Sequence, residues 1–159
     1  MANKTYKIAI ALEGHGSDYS DELEFSWETF DTVEEARESL IEWLRDIDHN
    51  DGGSFGELDG ERVGSVWEVG EYEDTVVTNI RESEALAGTG MHLYAASSPD
   101  FIEAVAYCKA CSHEEAAEKI ASNWEEADDF CFYIANEYGE ITQLNDCNEI
   151  VDCFHVDEI

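Results

Sequence analysis

Apolar residues recur along this chain at two periods, and the period names the elements. Val33, Ala36, Leu40, Trp43, Leu44 and Ile47 stand at helical spacing in the run VEEARESLIEWLRDI, and Thr32 followed by Glu35 makes a capping box at its start. A second run repeats the plan, with Ser112 and Glu115 as the box and Ala116, Ala117, Ile120, Ala121 and Trp124 as the buried stripe. The two helices align at an offset of 80 residues, T-V-E-E-A-R-E-S-L against S-H-E-E-A-A-E-K-I.

Period-two segments flank both helices. Before the first, 6–12 and 23–30 alternate, the latter placing Leu23, Phe25 and Trp27 on one face and Glu22, Glu24, Ser26 and Glu28 on the other. A Gly/Asp-rich loop, HNDGGSFGELDGE, leads to strands at 63–72 and 75–80. Around the second helix, strands are expected at 91–96, 101–110, 130–135, 140–144 and near 150–156, with a turn at 136–139. The expected fold is α+β, in two ββαββ-like halves, 1–84 and 85–159, each a small antiparallel sheet with one packed helix. The shared helix pattern suggests an internal duplication, and with the prevalence of symmetric dimers it favours a homodimer.

Charge changes this picture most. The 159 residues carry 39 Asp and Glu against 8 Lys and Arg, a formal net charge of −31. At 43% hydrophobic the chain has enough apolar side chains to build a core, so the acidity is not that of a disordered tail. Direct binding to nucleic acid or to an anionic membrane is excluded, because the basic residues that contact phosphates are too few. No apolar run approaches the ~20 residues of a membrane span, and the first residues do not form a signal peptide. Five cysteines without a secretory segment read as reduced thiols in a cytoplasmic protein, with Cys108 and Cys111 at the end of an apolar strand and beside a helix cap, where small buried residues belong.

Salt adaptation would also give an acidic, Lys-poor chain, but Glu exceeds Asp, 25 to 14, and 18 aromatics argue against a trimmed core. A cation-binding module could use Cys108-x-x-Cys111-x-His113 with Cys147-x5-Cys153-x-His155, or the EF-hand-like segment from Asp46 to Glu57. The first lacks a second C-x-x-C pair and the second has Asp51 where the invariant Gly belongs. No phosphate loop, nucleophile elbow or zinc-protease motif is present, and the five His are scattered, so no enzyme and no cofactor is expected.

The carboxylates themselves are patterned. Glu34, Glu38, Glu42 and Asp46 succeed one another at i, i+4 with Glu35 beside them, about 6 Å apart in rise. Glu22, Glu24 and Glu28 share a strand face in steps of roughly 6.8 Å. Glu114, Glu115, Glu118, Glu125 and Glu126 form a matching set on the second helix. These spacings approach the roughly 7 Å between successive phosphates along a nucleic-acid backbone. In size, acidity and architecture the chain resembles the DNA-mimic inhibitors of phages and mobile elements, the ArdA-type antirestriction and anti-CRISPR proteins, a likeness of composition and not of motif. The resemblance implies an inhibitor whose partner is a basic nucleic-acid-binding protein, such as a nuclease, a CRISPR effector or another DNA-binding protein.

Overall fold

A computed structural model describes residues 3–12, 23–47, 49, 60–99, 106–127 and 131–159. The chain is α+β. It divides into two compact units, one made of Met1–Ile47 and Glu61–Leu86 and the other including Ala87–Ile159.

The first unit runs β1 (Tyr6–Leu12), β2 (Glu24–Phe25), α1 (Val33–Asp46), β3 (Arg62–Glu68), β4 (Thr75–Arg81) and α2 (Glu82–Ala85). Its antiparallel sheet has the order β2-β1-β3-β4. Thr32 caps α1 as its sequence requires, its Oγ1 accepting the Glu35 N–H at 3.1 Å. Ala36, Leu40 and Leu44 then pack on Ile8, Ile10, Val66 and Ile80, which all point to one side of the sheet. Gly64, between Ile10 on β1 and Ile80 on β4, lets the helix come close: a Cβ there would lie 2.7 Å from Leu40 Cδ1.

The second unit runs β5 (His92–Ser97), β6 (Ala106–Ala110), α3 (His113–Ala127), β7 (Phe132–Ala135), β8 (Glu140–Leu144) and β9 (Ile150–Glu158). Here the order is β6-β5-β9-β8-β7. Ala116, Ala117, Ile120, Ala121 and Trp124 pack on Tyr94, Cys108, Tyr133, Ile141 and Phe154, with the Trp124 and Phe154 rings 4.7 Å apart. Two hairpin turns use the same chemistry. Asn136 Oδ1 accepts the N–H groups of Tyr138 and Glu140, and Asn145 Oδ1 those of Cys147 and Glu149. Each loop then passes through a left-handed residue, Gly139 at φ 81° or Asn148 at φ 62°.

The units share a ββα opening and part ways after it. In the first, the strand following the helix joins β1; in the second, the strand following the helix lies at the far edge and the last strand joins β5.

Several expectations need correction. The segment expected as one strand from 23 to 30 is a two-residue strand followed by an excursion, and its faces are reversed. Ile10 pairs with Glu24 and Ala9 with Phe25, and opposed residues share a face, so Glu24 lies on the α1 side while Phe25 lies on the other. Phe25 is 39% exposed and Trp27 fully exposed, not core. β3 stops at Glu68, because at Gly70 the chain turns so tightly that a Cβ would meet the Glu73 carbonyl. The short helix α2 is absent from the periodic pattern. Cys111, Cys147 and Cys153 are exposed, so only Cys108 is a fully buried thiol among the five. Most of the Gly/Asp-rich loop and of the EF-hand-like segment, the residues 101–105, and Glu22 lie outside the described residues.

Candidate acidic interface

Glu34, Glu35, Glu38, Glu42 and Asp46 are all exposed, on the side of α1 away from Leu40. At about 100° per residue the i, i+4 members drift by only about 40° per step, so they form one slowly winding row. Among the described residues no ion pair involves any of the five. Glu24, at the edge strand, lies on the same side of the sheet as α1, which packs over β1 and β3. Glu28 is exposed in the excursion after β2, where its N–H donates to Ser26 Oγ at 3.2 Å.

Five of the eight cations are engaged locally. Lys4 pairs with Glu68 at 3.2 Å, Arg81 with Glu61 at 3.2 Å and Lys119 with Glu115 at 2.9 Å. Lys7 pairs with Asp74 and also sits 4.3 Å above the Phe25 ring. Hydrogen bonding from Lys7, then from the Gly70 amide, holds the Asp74 carboxyl below the usual carboxylate range. Arg45 Nε donates to the carbonyl of Ala85 at 2.6 Å, tying α1 to the end of α2.

The set on α3 is of mixed character. Glu114, Glu118 and Glu126 are exposed. Glu115 makes one half of the expected capping box: Ser112 Oγ accepts the Glu115 N–H at 3.1 Å, while the Glu115 carboxylate accepts the N–H of Cys111, one residue before the cap, at 3.1 Å. Lys119, then that amide, lowers the Glu115 carboxyl from its ordinary value. Glu125 accepts the N–H of Tyr133 at 3.0 Å, so its carboxylate covers an outward-pointing amide of the edge strand β7.

Two acids that belong to no surface row were not singled out by the sequence. Glu61 is 6% exposed and Glu82 fully buried. They cross-clip the β3–β4 end, since Glu82 Oε1 accepts the Arg62 N–H at 3.0 Å and Glu61 Oε1 accepts the Ser83 N–H at 3.1 Å and the Ser83 hydroxyl. The signal was available in part: each flanks a strand end directly, where unpaired amides need acceptors. Glu61, Asp74, Glu82, Glu115 and Glu125 thus form a class of carboxylates that hold backbone amides.

The cysteines and histidines of the proposed zinc set point apart. Cys108 faces α3 from within the core, where burial pushes its thiol up to about 12. Cys153 and His155 flank the core residue Phe154 on β9 and so face the opposite side of the sheet. Among the described residues no three His, Cys, Asp or Glu side chains stand together as metal ligands. Nor is any described helix long and apolar enough to cross a membrane. No protein-family model, curated protein or solved structure matches the chain.

Proposed function

We propose that this protein is a nucleic-acid mimic, acting in the cytoplasm by occupying the basic groove of a nuclease, CRISPR effector or other DNA-binding protein. The observation that carries the reading is the α1 row: five exposed carboxylates with no ion pair among the described residues, on a helix packed on its sheet through Ala36, Leu40 and Leu44. Like charges at i, i+4 weaken a helix, so such a row is retained at a cost to stability.

Charge density supports concentration on a face. The surface of 9855 Å² spread over 31 net charges gives about 320 Å² per charge. A duplex treated as a cylinder has roughly 110 Å² per charge. The average falls short by about threefold, so mimicry depends on local rows such as α1 and not on bulk acidity. On α3, Glu114, Glu118 and Glu126 supply a sparser set, because Glu115 and Glu125 are engaged in holding the fold.

Reversing Glu34, Glu38, Glu42 and Asp46 to Lys tests the proposal. The variant should stay folded and lose binding to basic proteins that DNA displaces, and wild-type binding should weaken steeply with salt because it releases the groove's counterions. Undiminished, DNA-competed binding by the reversed protein rules the row out as the contact.

A further inference from the structure

The excursion after β2 is a built feature. Ser26 N–H donates to the Ile8 carbonyl at 2.9 Å, continuing the register that pairs Ala9 with Phe25. Phe30 and Tyr6 then exchange two backbone hydrogen bonds, at 2.8 and 2.9 Å. Lys7 on β1 therefore faces three residues, Trp27, Glu28 and Thr29, where one would continue the ladder. The bulge is tied at both ends and braced within by the Glu28 N–H on Ser26 Oγ.

Its product is Trp27, whose side chain stands clear of the protein at 101% relative exposure. The neighbouring Trp67 marks what a retained indole does: it is half-buried, its Nε1 donates to Ser65 Oγ at 2.8 Å, and it meets Phe25 edge-on at 5.8 Å. Trp27 forgoes such packing, and an indole can remove some 150–250 Å² of surface from water when buried. The exposed carboxylates Glu24 and Glu28 stand on either side of it in the chain. The nearest cation along the ladder, Lys7, is already held by Asp74 and the Phe25 ring.

A planar aromatic group hung from an anionic backbone is the chemistry of an unstacked nucleotide. We infer that Trp27 is a base surrogate, which enters the aromatic stacking slot of a protein that binds single-stranded nucleic acid, while Glu24 and Glu28 occupy the flanking phosphate sites. The inference rests on the mimicry proposed above and narrows its partner. Single-strand binders combine a basic groove with aromatic platforms that accept any π-face, whereas a protein that reads only duplex backbone offers no such slot. The charge of −31 supplies complementarity to the groove, and the bulge supplies the wedge.

The experiment uses the full chain against three purified probes: two basic OB-fold proteins that bind single-stranded DNA by aromatic stacking, and one sequence-nonspecific duplex-binding protein. Wild type should bind at least one OB-fold probe, and oligo(dT) should displace it. Trp27→Ala should weaken that binding by about tenfold or more, as loss of one stacked base does, and Trp27→Phe should recover part of it. The acrylamide quenching lost on changing Trp27 to Phe reports this indole alone, and it should be suppressed in the complex. Equal affinity of wild type and Trp27→Ala, or an indole as quenchable in the complex as in the free protein, overturns the inference. Binding to the duplex probe alone, sensitive to the α1 reversals and indifferent to Trp27, overturns it and leaves the mimicry reading standing. Binding to none of the probes overturns the single-strand partner, and the α1 reversals decide the broader reading separately.

Discussion

The seating of α1 on its sheet rests on the missing side chain at Gly64, and a two-residue cycle can measure it. An added Cβ would lie 2.7, 2.9 and 3.0 Å from Cδ1, Cγ and Cδ2 of Leu40. Carbon atoms pack at about 3.5–4.0 Å, so the shortfall is roughly 1 Å against a side chain that is fully buried. Gly64→Ala should therefore cost about 1–3 kcal/mol for overpacking, offset by about 0.4–1 kcal/mol because alanine restricts the unfolded chain. Leu40→Ala alone should cost about 3–5 kcal/mol, the transfer of its side chain plus the cavity left behind. In the double variant the new methyl enters the space that Leu40 vacated. The clash vanishes and the cavity partly fills, so the pair should be less destabilised than the sum of the singles by about 1–3 kcal/mol. Urea unfolding would be followed by fluorescence in a Trp124→Phe background, which leaves Trp27, Trp43 and Trp67, all in the first unit, as reporters. Additivity within about 0.5 kcal/mol, or a neutral Gly64→Ala, would refute the reasoning.

Further outcomes follow from the same geometry. Replacing Thr32 or Ser112 with Ala should cost about 1 kcal/mol each by uncapping α1 or α3, read as a lower urea midpoint with unchanged slope; a neutral effect at either site contradicts the capping bond there. Asp74, with its carboxyl held below the ordinary range, contributes stability that is present above the unfolded-state pKa and lost as pH falls through the lower folded value. The stability gap between wild type and Asp74→Asn should accordingly narrow from about pH 6 to about pH 2.5 in urea titrations, and a constant gap would contradict the Lys7 pairing. Cys111, Cys147 and Cys153 should react promptly with a thiol reagent in the native protein, whereas Cys108, buried and raised to about 12, should react only on unfolding; rapid native labelling of Cys108 would refute its place in the core.

Both helices were legible because two independent signals coincide in each, an apolar stripe at helical spacing and a capping hydroxyl at its start. Thr32 and Ser112 each accept the N–H three residues on, as the spelling implies, while the return bond of Glu115 goes to the Cys111 amide and not to that of Ser112. The antiparallel α+β class followed from alternation and short turns. Alternation alone could not orient β2, because a period of two separates faces without saying which is covered. The pairing of Ile10 with Glu24 decides that for β2 and turns Phe25 away from α1, while Trp27 lies in the bulge beyond the pairing and is fully exposed. Strand order after the helices was equally hidden, since whether the next strand joins the first or lies at the far edge depends on contacts distant in sequence. Spacing put the acids of α1 in one row, and all five are exposed. Glu61, Glu82, Glu115 and Glu125 illustrate what spacing misses, because a carboxylate bonded to an amide and one facing water are spelled alike.

That split among the carboxylates makes ionic strength a selective control. Attraction between exposed charges fades as the Debye length shrinks from about 10 Å at 0.1 M salt to about 3 Å at 1 M. The short carboxylate–amide bonds at Glu61 and Glu82 are shielded from bulk ions by burial and keep their strength. Under the proposed mimicry, brine should thus release a bound partner while the fold remains intact, ready for another round once the salt is removed. A protein whose cohesion depended on surface ion pairs would lose its grip and its shape together.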